Sequence, residues 1–179
     1  MKDVYLLIGS NRGDRKKNLS LAVGLIRRRA GRIVKLSSVY ETQPWGFSDD
    51  VFFLNMAMEI DTALSPMELL AELHAIETGL GRVREVADSA GSCSCQAREY
   101  TSRTLDIDIL FFGSKKVFTE HLMIPHPRLH LRKFTLIPLT EIAPGFVHPV
   151  YGKTMTELSF SCPDHGKVER ISDFTGDTD

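Results

Sequence analysis

Two aspartates interrupt an apolar run, RTLDIDILFF at residues 103–112, and no other feature of this chain constrains its fold as strongly. Side chains of a β-strand point alternately to opposite faces of a sheet. A strand over this run therefore has one apolar face, made of Leu105, Ile107, Ile109 and Phe111. The opposite face carries Asp106 and Asp108, about 7 Å apart along the strand. Because unpaired carboxylates are unfavourable in an apolar interior, we expect this face to be open and to supply a partner.

The composition is that of one globular domain. Of 179 residues, 42% are apolar and 25% are charged, and the formal net charge is −1. So small a net charge gives no general attraction to nucleic acid or to a membrane surface. No apolar stretch approaches the ~20 residues of a membrane helix, and the 3 cysteines form no disulfide framework. We therefore expect a cytoplasmic protein with no nucleic-acid or membrane partner. A monomer is expected by default, because no sequence feature indicates the oligomeric state.

The hydrophobic pattern predicts the element order β-α-β-β-α-β. The expected strands cover residues 4–8, 33–41, 52–60 and 103–112. One helix is expected around 19–26, and a second begins at the capping box of Ser65 and Glu68. The order predicts an α+β fold, a ferredoxin-like βαββαβ sandwich with an antiparallel sheet, helices on one face and C-terminal additions.

The C-terminal additions include two short helices, one near 134–141 and one that starts after Thr154. We expect residues 1–162 to form the domain and residues 163–179 to form a polar, poorly ordered tail. Residues 85–102 have no periodicity and many small side chains, which predicts a long loop of the kind that often serves function.

Cys93 and Cys95 belong to that long loop. Their C-x-C spacing, with no second cysteine pair, is not typical of a structural zinc site. An exposed, flexible loop is the favoured interpretation of this stretch.

Two carboxylates on one sheet face repel each other unless a cation is present. Mg²⁺ is a suitable cation, because it prefers oxygen ligands and is often held by one or two carboxylates together with substrate phosphates. The chain also carries side chains suited to phosphate contacts near this run, namely Arg82, Arg84, Arg103, His126 and Arg132. The pattern indicates a polyphosphate site with Mg²⁺, although two solvated acids on an exposed face remain an open alternative.

An aromatic group forms the other half of the expected site. Phe53 and Asn55 project from the same face of the third strand, and Trp45 and Phe134 are candidates to join them. Aromatic planes and an amide edge suit a flat heterocycle, which they hold by stacking and hydrogen bonding. Core packing of Phe53 and Phe134 is the alternative.

These segments together resemble the 6-hydroxymethyl-7,8-dihydropterin pyrophosphokinase family of folate synthesis. The matching motifs, in family order, are IGSNRGD, SSVYETQPWG, FLNMAMEIDT, IETGLGRVR, RTLDIDILFFG and IPHPRLHLRKFTLIPLTEIAP. The resemblance implies a kinase-type transferase that moves a pyrophosphoryl group from ATP to 6-hydroxymethyl-7,8-dihydropterin. The implied products are the pterin diphosphate and AMP, with attack at the β-phosphorus.

The resemblance also implies roles for particular residues. Asp106 and Asp108 would hold two Mg²⁺ ions, and Arg82 and Arg103 would close over the phosphates as catalytic residues. The implied ATP contacts are Leu70, Glu77, Arg84, Tyr100, Ile109, His126 and Arg132. The implied pterin contacts are Gly9, Thr42, Pro44, Trp45, Phe53, Asn55 and Phe134.

Two other classes of protein share parts of this pattern. A D-x-D metal-dependent nucleotidyltransferase or nuclease would attack the α-phosphorus, release pyrophosphate and show a basic groove. A non-enzymatic ferredoxin-like module would bind RNA or a small ligand on its sheet. The low net charge argues against a nucleic-acid substrate, and two acids on the central strand would repel phosphate without a metal.

Overall fold

The structure is a computed structural model that describes residues 3–46, 50–81 and 104–171. These residues form eight strands, four α-helices and one 3-10 turn. In chain order the elements are β1 (Asp3–Ser10), α1 (Arg15–Arg29), β2 (Arg32–Leu36), β3 (Val39–Thr42), β4 (Phe53–Asp61), α2 (Pro66–Gly79), β5 (Asp106–Phe112), β6 (Val117–Phe118), β7 (Met123–Ile124), a 3-10 turn (Leu129–Leu131), α3 (Lys133–Ile142), α4 (Met155–Phe160) and β8 (Val168–Ile171).

One antiparallel sheet organises these elements, with strand order β5-β1-β4-β3-β8 and with β2 also paired to β4. The single strand expected at 33–41 is therefore two strands, both on β4. The break falls at Ser37, whose hydroxyl accepts a hydrogen bond from the Ala57 amide at 2.9 Å. A side chain that replaces a backbone partner in this way interrupts the ladder without leaving the amide of β4 unsatisfied.

Apolar clusters cover both faces of the sheet. The first cluster joins β1, β4 and β5 to α1 and α2, as the amphipathic pattern predicts. The second cluster joins the opposite face to α3 and α4, through residues such as Leu136, Leu139 and Met155. The expectation of an entirely open second face is therefore wrong, because the C-terminal helices are apolar enough to cover most of it. What stays open is the end of the sheet near Gly9 and Asp106.

The pairing of β5 with β1 contains a register shift between Tyr5 and Leu6. Tyr5 pairs with Phe111, whereas Leu6 pairs with Ile109, so Leu110 is the extra residue of a bulge. Phe111 consequently belongs to the second cluster and Ile109 to the first. The prediction that Phe111 shares a face with Ile109 is wrong for this reason.

The predicted helix starts are confirmed. Ser65 and Glu68 form a reciprocal capping box at α2, and Thr154 and Glu157 form another at α4. Helix α3 covers the stretch where a short helix was expected. Within the described ranges, none of these helices combines the length and the apolar character that crossing a membrane requires.

Strand β8 lies within the segment that was expected to be a poorly ordered tail. It pairs with β3 along its whole length, from Val39 opposite Ile171 to Thr42 opposite Val168. A strand this short and polar has no clear periodic signal, so its order comes from the ladder that β3 offers. The tail expectation is wrong for these residues, and residues 172–179 lie outside the described part of the chain.

His148, in the connection between α3 and α4, is a buried histidine of the second layer. Its Nδ1 accepts hydrogen bonds from the amides of Val150 and Tyr151, at 3.2 and 3.3 Å. Its ring meets Phe111 edge-on, with 5.3 Å between centroids. Burial, followed by the charge of His130, lowers the pKa of His148 from 6.5 to about 4.

This histidine makes the fold sensitive to acid. Since the folded pKa lies below the unfolded one, the unfolded chain takes up the proton first as pH falls, and stability is lost between pH 6.5 and about 4. We expect His148→Asn, whose Oδ1 keeps an acceptor for the two amides, to remove up to about 2 kcal/mol of the loss between pH 7 and pH 5. Urea unfolding at the two pH values measures the change. His165→Asn, on an exposed histidine, is the control and should keep the wild-type pH dependence, and a His148→Asn profile equal to wild type would contradict the assignment.

Candidate active site

The acid pair lies on the part of β5 that faces the open end of the sheet. Asp106 pairs with Gly9 of β1, and Asp108 pairs with Leu7. Both aspartates are partly exposed, whereas Ile107 between them is buried in the first cluster. The alternation predicted for this stretch is confirmed from Leu105 to Ile109.

Two basic side chains approach Asp108. Arg132 Nη1 and His126 Nε2 each lie 4.0 Å from Asp108 Oδ2. These distances exceed those of direct hydrogen bonds, so the contacts are electrostatic. Arg132 is buried to 5% exposure, which holds its charge in a fixed place.

The protonation state of His126 follows from its two ring nitrogens. Nδ1 accepts a hydrogen bond from the Arg128 amide at 3.3 Å, so in the neutral ring the proton sits on Nε2 and points towards Asp108. Burial lowers the pKa of His126, and the Asp108 carboxylate opposes that shift. Near neutral pH the side chain is therefore an uncharged hydrogen-bond donor.

Arg132 also stacks on the aromatic group expected from the sequence. Its guanidinium carbon lies 4.8 Å from the centroid of the Trp45 ring and 5.6 Å from that of Phe134. Cation–π contacts of this geometry stabilise a buried guanidinium. One arginine thus joins the acid pair to two of the aromatic residues.

Asn55 and Thr42 form a buried polar pair on the neighbouring strands β4 and β3. The Asn55 amide nitrogen donates to Thr42 Oγ1 at 2.7 Å. Opposite Asn55 in the sheet is Gly9, and a Cβ added there would lie 2.6 Å from Asn55 Oδ1 and 3.8 Å from Phe53 Cδ1. Glycine at this position therefore leaves room for the amide of Asn55. Pro44, two positions after Thr42 in the chain, is partly exposed.

Three further residues expected to contact ATP belong to α2 and β5, namely Leu70, Glu77 and Ile109. Ile109 and Leu70 belong to the first cluster, on the sheet face opposite the acid pair. Glu77 is buried to 1% exposure, and its Oε1 accepts a hydrogen bond from the Ile107 amide at 2.8 Å. Arg82, Arg84, Tyr100 and Arg103 lie outside the described residues, as do Cys93 and Cys95.

The sequence patterns did not single out the residues that hold the start of β5. Ser10 Oγ donates to the Thr104 carbonyl at 2.6 Å, and Asn18 Nδ2 donates to the same carbonyl at 3.1 Å. Asn18 also donates to the Arg12 carbonyl at 2.9 Å. The only local signal for this arrangement is a polar Ser10 at the end of an apolar strand, within the IGSNRGD motif.

Arg15 is a second residue, not singled out by the sequence patterns, that holds site strands in place. Its Nη1 lies 2.9 Å from Glu41 Oε1 and donates to the Phe52 carbonyl at 2.7 Å. These contacts join α1 to β3 and to the residue that precedes β4. The strands that carry Thr42 and Phe53 are thereby held together.

The donor set around the acid pair suits a cation that shares its ligands with a substrate. Across the described residues, no group of three or more histidine, cysteine or acidic side chains is placed to hold a metal ion. Two partly exposed carboxylates on one face are, however, the number and type of protein ligand that Mg²⁺ uses when phosphate oxygens complete its shell.

Comparison with known proteins gives consistent matches. A family model described as 7,8-dihydro-6-hydroxymethylpterin-pyrophosphokinase (HPPK) matches residues 5–144. The 2-amino-4-hydroxy-6-hydroxymethyldihydropteridine pyrophosphokinase of Bacillus subtilis is 45% identical over 139 residues, which are 77% of this chain and 76% of that protein. The protein with the same name from Methylorubrum extorquens is 39% identical over 172 residues, or 96% of this chain and 99% of that one.

Solved structures agree on the fold. A structure described as HPPK-DHPS in complex with substrates superposes with a TM-score of 0.70 at 15% identity, over 89% of this chain. The match covers 43% of that chain, so the present chain spans less than half the length of the solved protein. At this identity the likeness concerns the fold.

The close approach at Gly9 gives a test of the pocket. We expect Gly9→Ala to displace Asn55, to raise KM for the heterocyclic substrate by at least about tenfold and to destabilise the fold by about 1–3 kcal/mol. Steady-state kinetics and urea unfolding measure these changes. Gly24→Ala, in α1 with no atom within 4 Å of the added Cβ, is the matched control. It should leave KM unchanged and stabilise α1 by up to about 1 kcal/mol. An unchanged KM in Gly9→Ala would contradict the role given to Asn55.

Proposed function

This chain belongs to the 7,8-dihydro-6-hydroxymethylpterin-pyrophosphokinase family, and from that membership we propose how its residues serve the reaction. It is an enzyme of folate biosynthesis that transfers a pyrophosphoryl group from ATP to the hydroxymethyl group of the pterin. The family match favours this activity over a nucleotidyltransferase and over a non-enzymatic ligand-binding module.

The observation that carries the residue-level proposal is a row of three residues across the sheet. Asn55, Gly9 and Asp106 are direct neighbours on β4, β1 and β5. Two strand spacings separate Asn55 from Asp106, a distance of about 10 Å. A bicyclic heterocycle bound at Asn55 spans this distance and brings a hydroxymethyl substituent towards the acid pair.

We propose that Asp106 and Asp108 hold two Mg²⁺ ions together with ATP. The support is their shared face, their partial exposure and their oxygen donors. Bound Mg²⁺ would neutralise charge on the phosphate oxygens of ATP. The aspartates themselves fix where the polyphosphate lies relative to the pocket.

The proposed pterin site uses the buried amide and the aromatic rings. Asn55, oriented by its hydrogen bond to Thr42, offers an amide edge to a heterocycle. Phe53 and Phe134 would stack on its faces, while Trp45 and Pro44 would close the side of the pocket next to Arg132. Gly9 keeps the floor of this pocket free of a side chain.

Positioning and electrostatics are the proposed sources of rate enhancement. Arg132, which contacts two aromatic rings, would stabilise charge on the transferred group. His126 would donate a hydrogen bond from Nε2. By family resemblance, Arg82 and Arg103 would contact the phosphates, and Arg84 and Tyr100 would contact ATP. No dedicated general base is assigned.

Three broader properties remain proposals as well. A ferredoxin-like fold is supported by the antiparallel order β5-β1-β4-β2, which is how two βαβ units interleave. A cytoplasmic location is expected from composition, and a monomer is the default proposal for the oligomeric state. Light scattering coupled to size-exclusion chromatography measures the oligomeric state.

The metal assignment is tested at the acid pair. We expect Asp106→Asn and Asp108→Asn each to lower single-turnover AMP formation by at least about 100-fold at saturating Mg²⁺, because each removes a charged ligand. Asp61→Asn, at the far end of β4 beside Arg32, is the matched control and should retain wild-type turnover. Near wild-type rates in both site variants would rule out the assignment. Release of pyrophosphate in place of AMP would instead indicate a nucleotidyltransferase.

A further inference from the structure

Glu77 occupies a position that ordinary physical preferences disfavour. Its side chain is buried to 1% exposure, where an ionised carboxylate loses hydration. It also lies in the last turn of α2, close to the negative end of the helix dipole. A carboxylate kept in such a place needs a compensating contact.

One compensating contact is with the backbone of the acid strand. Glu77 Oε1 accepts a hydrogen bond from the Ile107 amide at 2.8 Å. Ile107 is the residue between Asp106 and Asp108, and its side chain packs towards α2. The peptide between Asp106 and Ile107 is therefore held at the edge of β5 that does not pair with β1.

A fixed peptide at this point determines the spacing of the acid pair. Strand β5 pairs with β1 on one side, and no other strand of the described sheet pairs with it on the other. On that outer side, Glu77 binds the Ile107 amide and the His126 amide donates to the Leu110 carbonyl at 3.0 Å. Of these two contacts, the one from Glu77 lies between the aspartates.

We propose that Glu77 is a positioning residue for the acid pair, acting through the Ile107 peptide and not through contact with ATP. This inference rests on the proposed role of Asp106 and Asp108 as metal ligands. It replaces the nucleotide contact expected for Glu77, because a side chain with 1% exposure has almost no surface to offer a ligand.

The experiment compares three variants on α2. Glu77→Gln keeps an acceptor for the Ile107 amide, Glu77→Ala removes it, and Glu72→Ala removes a surface carboxylate that pairs with Arg29 at 2.8 Å. For each we would measure kcat, KM for ATP, the Mg²⁺ concentration at half-maximal rate, and hydrogen exchange of the Ile107 amide.

Glu77→Ala should lower kcat by at least about tenfold, raise the half-maximal Mg²⁺ concentration several-fold and speed exchange of the Ile107 amide, with KM for ATP within about twofold. Glu77→Gln should restore all of these to within about threefold of wild type. Glu72→Ala should match wild type throughout.

Two outcomes would overturn the inference. The first is a rise in KM for ATP in either Glu77 variant with an unchanged Mg²⁺ requirement, which indicates a nucleotide contact. The second is a loss of kcat in Glu77→Gln equal to that in Glu77→Ala. If Glu77→Ala does not fold, Glu77→Gln decides alone. All values within about threefold of wild type would support the inference, and a raised KM for ATP with an unchanged Mg²⁺ requirement would overturn it. Asp108→Asn measured in parallel separates the two proposals, since only failure of the metal assignment leaves its Mg²⁺ dependence unchanged.

Discussion

Strand β1 pairs with β4 on one side and with β5 on the other, and the placement of every candidate site residue in the sheet depends on this double pairing. Gly9, near its end, brings an amide of β4 and a carboxylate of β5 into one row. Because Gly9 has no side chain, the amide of Asn55 reaches across the strand without steric conflict. The proposed pterin pocket and the acid pair are thus neighbours by backbone pairing, before any loop contributes.

Much of this arrangement is predictable where local periodicity carries the information. Alternation from Leu105 to Ile109 predicts which face the aspartates occupy, and capping residues predict where α2 and α4 begin. The sheet face that Phe111 occupies is not predictable in this way. Its face is set by a register shift opposite Tyr5, which depends on the partner strand and has no trace in the local pattern. Strand β8 likewise forms because β3 offers an edge.

The candidate site also contains residues that the sequence identifies and residues that it does not. Asp106, Asp108 and the aromatic residues are predictable as candidates, because their chemistry is unusual for their surroundings. The residues that orient them are harder to find. Ser10 and Glu77 act on backbone groups 94 and 30 residues away, respectively, and a serine or a glutamate gives no sign in sequence that its partner is a distant peptide. Side chain–backbone contacts of this range emerge only with the tertiary structure.

The hydrogen bonds to the Thr104 carbonyl also have an evolutionary consequence. Ser10 and Asn18 fix the point at which the chain enters β5, independently of the residues that come before it. Insertions or deletions upstream of residue 104 then change the length of a connection without altering the register of the aspartates. Such a boundary allows one part of an enzyme to diversify between species while the neighbouring strand, which carries the proposed metal ligands, stays constant.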